Sequence, residues 1–194
     1  GHAEAALGGR WREGQVAHDR LELPQFQLAL AGGHARWGRF RIAAEALAPD
    51  SDPISAGEPF GSSTALASAI DPDSEQGVAA LLQWAPWSGF LVELGHTPDS
   101  FEVSNLTGAL RFRVTTADGP WDFGFGRKAV GDSMLSFAGA IDPLTGLDWG
   151  GVTRNRAYVG ASFGDEDLNL YGEVSGAIID GHRVDENSQW EAEA

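Results

Sequence analysis

The run Leu110-Arg111-Phe112-Arg113-Val114, the turn Asp118-Gly119-Pro120 and the run Trp121-Asp122-Phe123-Gly124-Phe125-Gly126 carry the clearest structural signal in the chain. Leu110, Phe112 and Val114 fall on one side of an extended strand, and Arg111 and Arg113 on the other. The second run repeats the pattern, with Trp121, Phe123 and Phe125 on one face and Asp122, Gly124 and Gly126 on the opposite one. A period of two marks strands with one apolar face, and a short turn between two such runs marks a hairpin. Alternation does not say what the apolar face meets. In a soluble sandwich it packs on a second sheet and the polar face meets water, whereas in a membrane barrel it meets lipid and the polar face lines the interior.

The same rhythm extends outward in both directions. Toward the N-terminus, Phe26, Leu28 and Leu30 alternate with Gln25 and Gln27, the stretch Ala31-Gly32-Gly33 reads as a turn, and Phe40 and Ile42 alternate with Arg39 and Arg41. Gln76 to Gly95 resumes the pattern, with Pro86 expected at a turn because it cannot donate to a ladder. Toward the C-terminus, Ala157–Phe163 and Leu168–Val174 read as a hairpin around Gly164–Asp167, before an acidic tail. Trp37, Trp84, Trp87 and Trp121 near strand ends suit the aromatic girdles of a membrane barrel and equally suit a packed core. No helix longer than a turn or two is demanded. Two long connections interrupt the strands, at about 48–75 and 127–153. The first, rich in Pro, Ser, Asp and Gly, reads as a disordered connection or an exposed rim loop, with the balance toward disorder. The second is turn-rich and charged, the kind of loop a compact domain keeps for a task.

Composition sets the outer bounds. A formal net charge of −15 argues against a nucleic-acid binder, which needs a basic stripe. The absence of cysteine excludes disulfides and thiolate metal sites. No apolar run reaches the roughly 20 residues of a spanning helix, which leaves barrel strands open. The N-terminal GHAEAALGGR carries no secretion signal, so either a leader has been removed or the stretch is internal to a longer chain.

Several motifs fail on context. Gly160-Ala161-Ser162-Phe163-Gly164 matches a nucleophile elbow, and Gly124-Phe125-Gly126-Arg127-Lys128-Ala129 matches a dinucleotide loop, but both require a helix to follow. Asp165, Asp167 and Asn169 begin a calcium-loop spacing that Leu170 and Gly176 break. The five histidines are scattered without ligand spacing. Asp132, Asp142 and Asp148 remain a possible carboxylate set for glycoside hydrolysis, with nothing to fix their separation.

The second long connection also carries a family pattern. Arg127, Lys128, Val130, Asp132, Ser133, Met134, Leu135, Phe137, Ala138 and Gly139, then Asp142, Pro143, Thr145, Gly146, Trp149, Gly150, Gly151 and Val152, resemble the C-terminal domain of the bacterial cellulose synthase operon protein C family. The chain departs from the pattern in having Gly131 between Val130 and Asp132, and Met134 where leucine is usual. Upstream, Thr97, Pro98, Phe101, Asn105 and Gly108 are similar to a second family stretch. Before about residue 75 the similarity fades.

The resemblance implies an all-β, antiparallel transmembrane β-barrel in the outer membrane of a Gram-negative bacterium, with residues 1–194 supplying about the first half of it. It implies a non-catalytic export pore without cofactor or metal, which passes a nascent cellulose or related glucan chain from periplasm to cell surface. Its implied partners are that glucan, periplasmic tetratricopeptide repeats of the same polypeptide, the inner-membrane cellulose synthase complex and outer-membrane lipid, with no nucleic acid. On this reading Arg111, Arg113 and Asp122 line the interior, where they exchange hydrogen bonds with hydroxyls or brace the wall by salt bridges. Arg127, Lys128, Asp132, Asp148 and Trp149 form a constriction or gate, Trp149 offering an apolar face to a sugar ring. The alternative is a soluble β-sandwich that binds or hydrolyses carbohydrate.

Overall fold

A computed structural model describes residues 1–12, 21–51, 54–69, 75–164 and 169–193. The described residues form one antiparallel sheet: β1 (His2–Arg12), β2 (Leu21–His34), β3 (Gly38–Leu47), β4 (Gly77–Ala85), β5 (Phe90–His96), β6 (Leu106–Thr116) and β7 (Gly119–Ala129). After β7 come a short helix α1 (Met134–Ala138) and a two-residue strand β8 (Ala140–Ile141), then β9 (Asp148–Gly164), β10 (Asn169–His182) and β11 (Val184–Glu193). The strands neighbour one another in chain order, with β7 beside β9 and the small β8 paired off the path to β9. β1 and β11 are not paired with each other, so the sheet is open. The expected all-β antiparallel architecture is therefore what the chain adopts.

The register puts the alternation to work. Arg111 stands opposite Gly124, and Gly124 opposite Tyr158, while Phe112, Phe123 and Val159 share the neighbouring row. One face is thus polar across β6, β7 and β9 and the other apolar. On β2 to β5 the apolar face continues through Leu28, Ile42, Leu82 and Leu94 in directly paired positions or one row apart. None of these is covered: Phe125 is 53% exposed and Ile42 61%. The sandwich alternative requires a second sheet on this face, and no second layer covers it among the described residues.

The buried core lies on the polar side, near one rim. Leu23 of β2 and Leu47 of β3 pack with Phe101 from the β5–β6 connection and with Met134 and Ala138 of α1. Because β2 and β9 lie six places apart in the sheet order, a flat sheet at about 4.8 Å per strand would separate them by roughly 29 Å. A core shared between β2 and the helix just before β9 requires the sheet to curl, with its polar face concave.

All long connections leave from this rim: those after β3, β5 and β7. The opposite rim has only tight connections, at 35–37, 86–89 and 117–118, apart from 165–168, which lie outside the described residues. Pro86 sits in one of these turns, as expected. Trp37, Trp84, Trp87 and Trp121 cluster at the same short-turn rim, where Phe40 stacks on Trp84 and Trp87 on Phe90. Trp84 Nε1 donates to the Trp37 carbonyl at 2.8 Å.

Several expectations need correction. Ala31-Gly32-Gly33 is not a turn: β2 continues to His34, with Gly32 and Gly33 paired to Phe40 and Arg39, and the chain reverses at 35–37. The N-terminal segment and the acidic tail are both strands, β1 and β11, paired along most of their lengths. The second connection is shorter than 127–153, because β7 runs to Ala129 and β9 begins at Asp148. The first is not disordered over its described part: Ile54 and Leu66 are buried against Phe60. Residues 52–53 and 70–74 of that connection lie outside the described residues, as do Asp165 and Asp167 of the calcium-like spacing. Both tempting glycine motifs run inside strands, Gly160–Gly164 in β9 and Gly124–Ala129 in β7, and no helix follows either directly.

Candidate functional site: the concave face and its rim

Alternation alone brings a set of exchangeable hydrogen-bonding groups onto the concave face. Arg113 donates to Asp122 through Nε to Oδ1 at 2.7 Å and Nη2 to Oδ2 at 2.9 Å, the parallel fork that a guanidinium and a carboxylate favour. On the neighbouring strands Arg156 donates to Glu173, which also accepts the Tyr171 hydroxyl at 2.8 Å. The Arg156 guanidinium lies 5.1 Å from the centre of the Tyr158 ring. That ring lies across Gly124, where any side chain would collide with it. Glycine at 124 therefore makes room for an aromatic surface facing the concavity.

Two grooves follow this wall. One, of about 440 Å³, is lined by Arg111, Lys128, Arg154, Arg156, Tyr158 and Glu173, among others. The second, about 470 Å³, shares Arg111, Tyr158 and Glu173 and adds Arg113 and Asp122. Four expected site residues, Arg111, Arg113, Asp122 and Lys128, thus stand on one continuous surface.

The other four lie elsewhere. Arg127 departs from the expectation, because it shares the parity of Phe123 and Phe125 and belongs to the apolar face. It donates to the Leu106 carbonyl and to Asn155 Oδ1, both at 3.1 Å, and lies 3.8 Å from Asp180. Asp148 holds the β10–β11 turn, 3.5 Å from His182 and 3.6 Å from Arg183. Asp132 is exposed at the start of the connection that carries α1. Trp149 meets Phe60 of the β3–β4 connection edge to face, ring centres 5.4 Å apart, and its buried Nε1 has no partner.

That aromatic contact is half of a seam across the mouth of the concavity. The other half is Asp142. Its Oδ2 accepts both the Ser62 hydroxyl at 2.6 Å and the Ser62 amide at 3.0 Å. Its Oδ1 accepts the amides of Leu144 at 2.8 Å and Thr145 at 3.2 Å, closing an Asx-type turn. The Ser62 hydroxyl bond, with the backbone amides, holds the carboxyl far below the usual carboxylate range. A carboxyl held so firmly ionised is unsuited to the general-acid role of a hydrolytic pair. Two connections separated by β4 to β7 are thereby joined over the rim.

The rest of the motif is backbone geometry. Gly146 takes φ +70 in the turn, and its amide returns to the Asp142 carbonyl at 2.8 Å. Gly150 and Gly151 take φ +93 and +56, at a bulge where the β9–β10 register shifts between Asp180 and His182. A side chain at Gly150 would run into the Leu135 carbonyl, and one at Gly151 into Val103. Asn105 Nδ2 donates to the Gly151 carbonyl at 2.9 Å, tying the β5–β6 connection to the same point. Sequence reading missed Ser62, Tyr158, Arg156 and Glu173. Parity with Arg154 was available to find Arg156 and Tyr158 on β9, and alternation with Leu170 and Val174 to find Glu173 on β10; nothing local marks Ser62.

Fold and site together define a curled antiparallel sheet with a polar concave wall, an uncovered apolar outer face and a looped rim. The chain belongs to the family described as Cellulose synthase operon protein C C-terminus, whose family model matches residues 22–194. It is 38% identical over 100 residues to Cellulose synthase operon protein C of Xanthomonas axonopodis pv. citri (strain 306), covering 51% of this chain and 7% of that protein. It is 37% identical over 122 residues to Cellulose synthase 2 operon protein C of Komagataeibacter xylinus, covering 61% and 9%. A third relative, Cellulose synthase operon protein C of Pseudomonas fluorescens (strain SBW25), is 30% identical over 135 residues, covering 68% and 10%. The matched part thus spans a tenth or less of these relatives' length.

Proposed function

We propose that this chain is wall and rim of an outer-membrane export pore that passes a cellulose-type glucan to the cell surface, without catalysing a reaction on it. The observation that carries the reading is the pairing of two faces: a concave wall of hydrogen-bonding groups opposite an outer face whose aromatic and aliphatic side chains are uncovered. Monomeric soluble proteins rarely expose apolar surface on this scale, whereas a bilayer is the solvent such a face requires. A neutral, hydroxyl-rich polymer moves past groups that offer many replaceable bonds and no deep pocket. Arg111, Arg113, Asp122, Arg156, Tyr158 and Glu173 are of that kind, with Tyr158 as a surface for a sugar ring. Lys128, Asp132, Asp148 and Trp149 belong to the wall or the rim above it.

Orientation follows from the connections. Outer-membrane barrels keep short turns on the periplasmic side and long loops outside. Here the short-turn rim also holds the start of β1, since His2 pairs with Ala31 beside the β2–β3 turn. From its short turns we therefore assign that rim to the periplasm, the side from which helical repeats of the same polypeptide would hand over the polymer from the inner-membrane synthase. The seam of Ser62, Asp142, Phe60 and Trp149 then lies across the outer mouth.

The test is the full-length protein in its native outer membrane. A closed barrel resists detergent until heated, so the unheated protein should migrate faster on a gel than the boiled one, and Tyr158→Ala should slow release of glucan into the medium. Recovery in the soluble periplasmic fraction with no heat-dependent shift would overturn the pore and restore the sandwich.

A further inference from the structure

Composition gives this chain 28 acidic side chains and 13 Lys or Arg, more than enough acid to partner every cation. On the concave wall Arg113 and Arg156 each hold a carboxylate. Among the described residues, the other three cations of the 440 Å³ groove do not. Lys128 of β7 is the direct cross-strand partner of Arg154 of β9, and both line the 440 Å³ groove together with Arg111. Like charges directly opposed on two strands are destabilising. Nothing in their row relieves them, because Arg154 is followed by Ile179 on β10 and Asn187 on β11. Arg154 Nε is buried without a hydrogen-bond partner, and among the described residues none of the three cations has an ion-pair partner. Of the carboxylates on the groove, Glu173 is engaged by Arg156 and Tyr171, and Glu191 stands two strands beyond Arg154 on β11. A neutral glucan gives no reason for this arrangement.

We propose that Lys128, Arg154 and Arg111 form an anion-binding step in the wall, which takes a carboxylate- or phosphate-type substituent carried on the passing polysaccharide. The inference rests on the pore reading and narrows its substrate to a polymer with anionic groups on some sugar units. An oxyanion between Lys128 and Arg154 supplies the missing partner to both, and Tyr158 in the same groove offers its ring to the sugar that carries it.

Two probes test this on the full-length detergent-solubilised protein, titrated by intrinsic fluorescence: a neutral cello-oligosaccharide, and the same oligosaccharide with a primary hydroxyl oxidised to carboxylate. The carboxylated probe should bind about tenfold more tightly at low salt, as expected for charge-assisted hydrogen bonds, and the ratio should shrink at high ionic strength. In Lys128→Gln/Arg154→Gln the ratio should fall to near one, while the urea midpoint holds or rises because a like-charge pair has been removed. Equal binding of the two probes by the unaltered protein, or a ratio that survives the double substitution, overturns the anion step and leaves the pore standing. A double variant markedly easier to unfold overturns it too, because the cations would then be structural. Inorganic phosphate that displaces the carboxylated probe at equal concentration would show a free-anion site instead. Binding of neither probe counts against the pore itself.

Discussion

The sharpest consequence of the two-faced sheet is a depth-dependent penalty for charge on its outer side, and Phe123→Arg measures it. β7 has 11 residues; ten steps at about 3.4 Å, tilted by about 40°, span roughly 26 Å along a membrane normal. That matches the roughly 25 Å apolar band of an outer-membrane barrel. Phe123 lies one residue from the strand centre, so on the proposed pore reading its side chain would sit within about 3 Å of the midplane. Arginine there should cost about 2–4 kcal/mol, against about 0–1 kcal/mol near an interface. Phe163, next to the end of β9 at the short-turn rim, is the control. The two phenylalanines are similarly exposed, at 37% and 40%, and both contact the Trp121 ring. Local packing therefore predicts similar costs, and only bilayer depth separates them. Equilibrium urea unfolding of the full-length protein in phosphatidylcholine vesicles should place Phe123→Arg about 2–3 kcal/mol below Phe163→Arg. Equal costs within about 0.5 kcal/mol would refute the assignment of this face to lipid.

Three further outcomes follow from the wall and rim. Gly150→Ala should destabilise by about 1–3 kcal/mol and Gly146→Ala by less, since both need positive φ but only Gly150 lacks room for a methyl group; urea midpoints give the order. A double-mutant cycle on Arg113 and Asp122 should return only about 0.2–1 kcal/mol despite the paired geometry, because the arginine side chain is 61% exposed. The Asp142 carboxyl is depressed in the folded state, so the stability it lends is fully present above the ordinary carboxylate range and is lost progressively as pH falls from that range through its much lower folded value. Limited proteolysis of the 54–69 segment should therefore stay slow in the unaltered protein from neutral pH to below about pH 4, and should be fast throughout in Asp142→Asn.

What could be read from the chain follows the range of the interactions. Strands β6, β7, β9 and β10 announce themselves because each alternates large apolar with polar residues against its immediate neighbour. β1 does not, since Ala3, Ala5, Ala6, Gly8 and Gly9 carry too little side chain to show a period, and its identity as a strand comes from pairing with β2. Gly32 and Gly33 look like a turn for the same reason: glycine is read as a break, yet their backbone groups are taken up by β3. The 48–75 connection is opaque for a different reason. Its order comes in part from Asp142, 80 positions away, which no local pattern can reveal. Arg127 was legible, because counting by twos from Phe123 through Phe125 puts it on the outer face; a charged cluster read as a unit obscures that parity.

The family pattern around Asp142 is best understood as architecture, and its bonds fall into two sets. Oδ1 serves the amides of Leu144 and Thr145 within the turn, while Oδ2 serves Ser62 on the facing connection. Gly146, Gly150 and Gly151 keep the backbone of that turn and bulge in conformations other residues resist. Separation of the two connections would give up the Ser62 bonds and the Phe60–Trp149 edge contact, and would leave the Asx turn, the glycine bulge and the Asn105 tie to Gly151 intact. On the proposed pore reading, a mouth tied this way would part along the Ser62–Asp142 and Phe60–Trp149 contacts while the Asx turn and glycine bulge keep their own bonds.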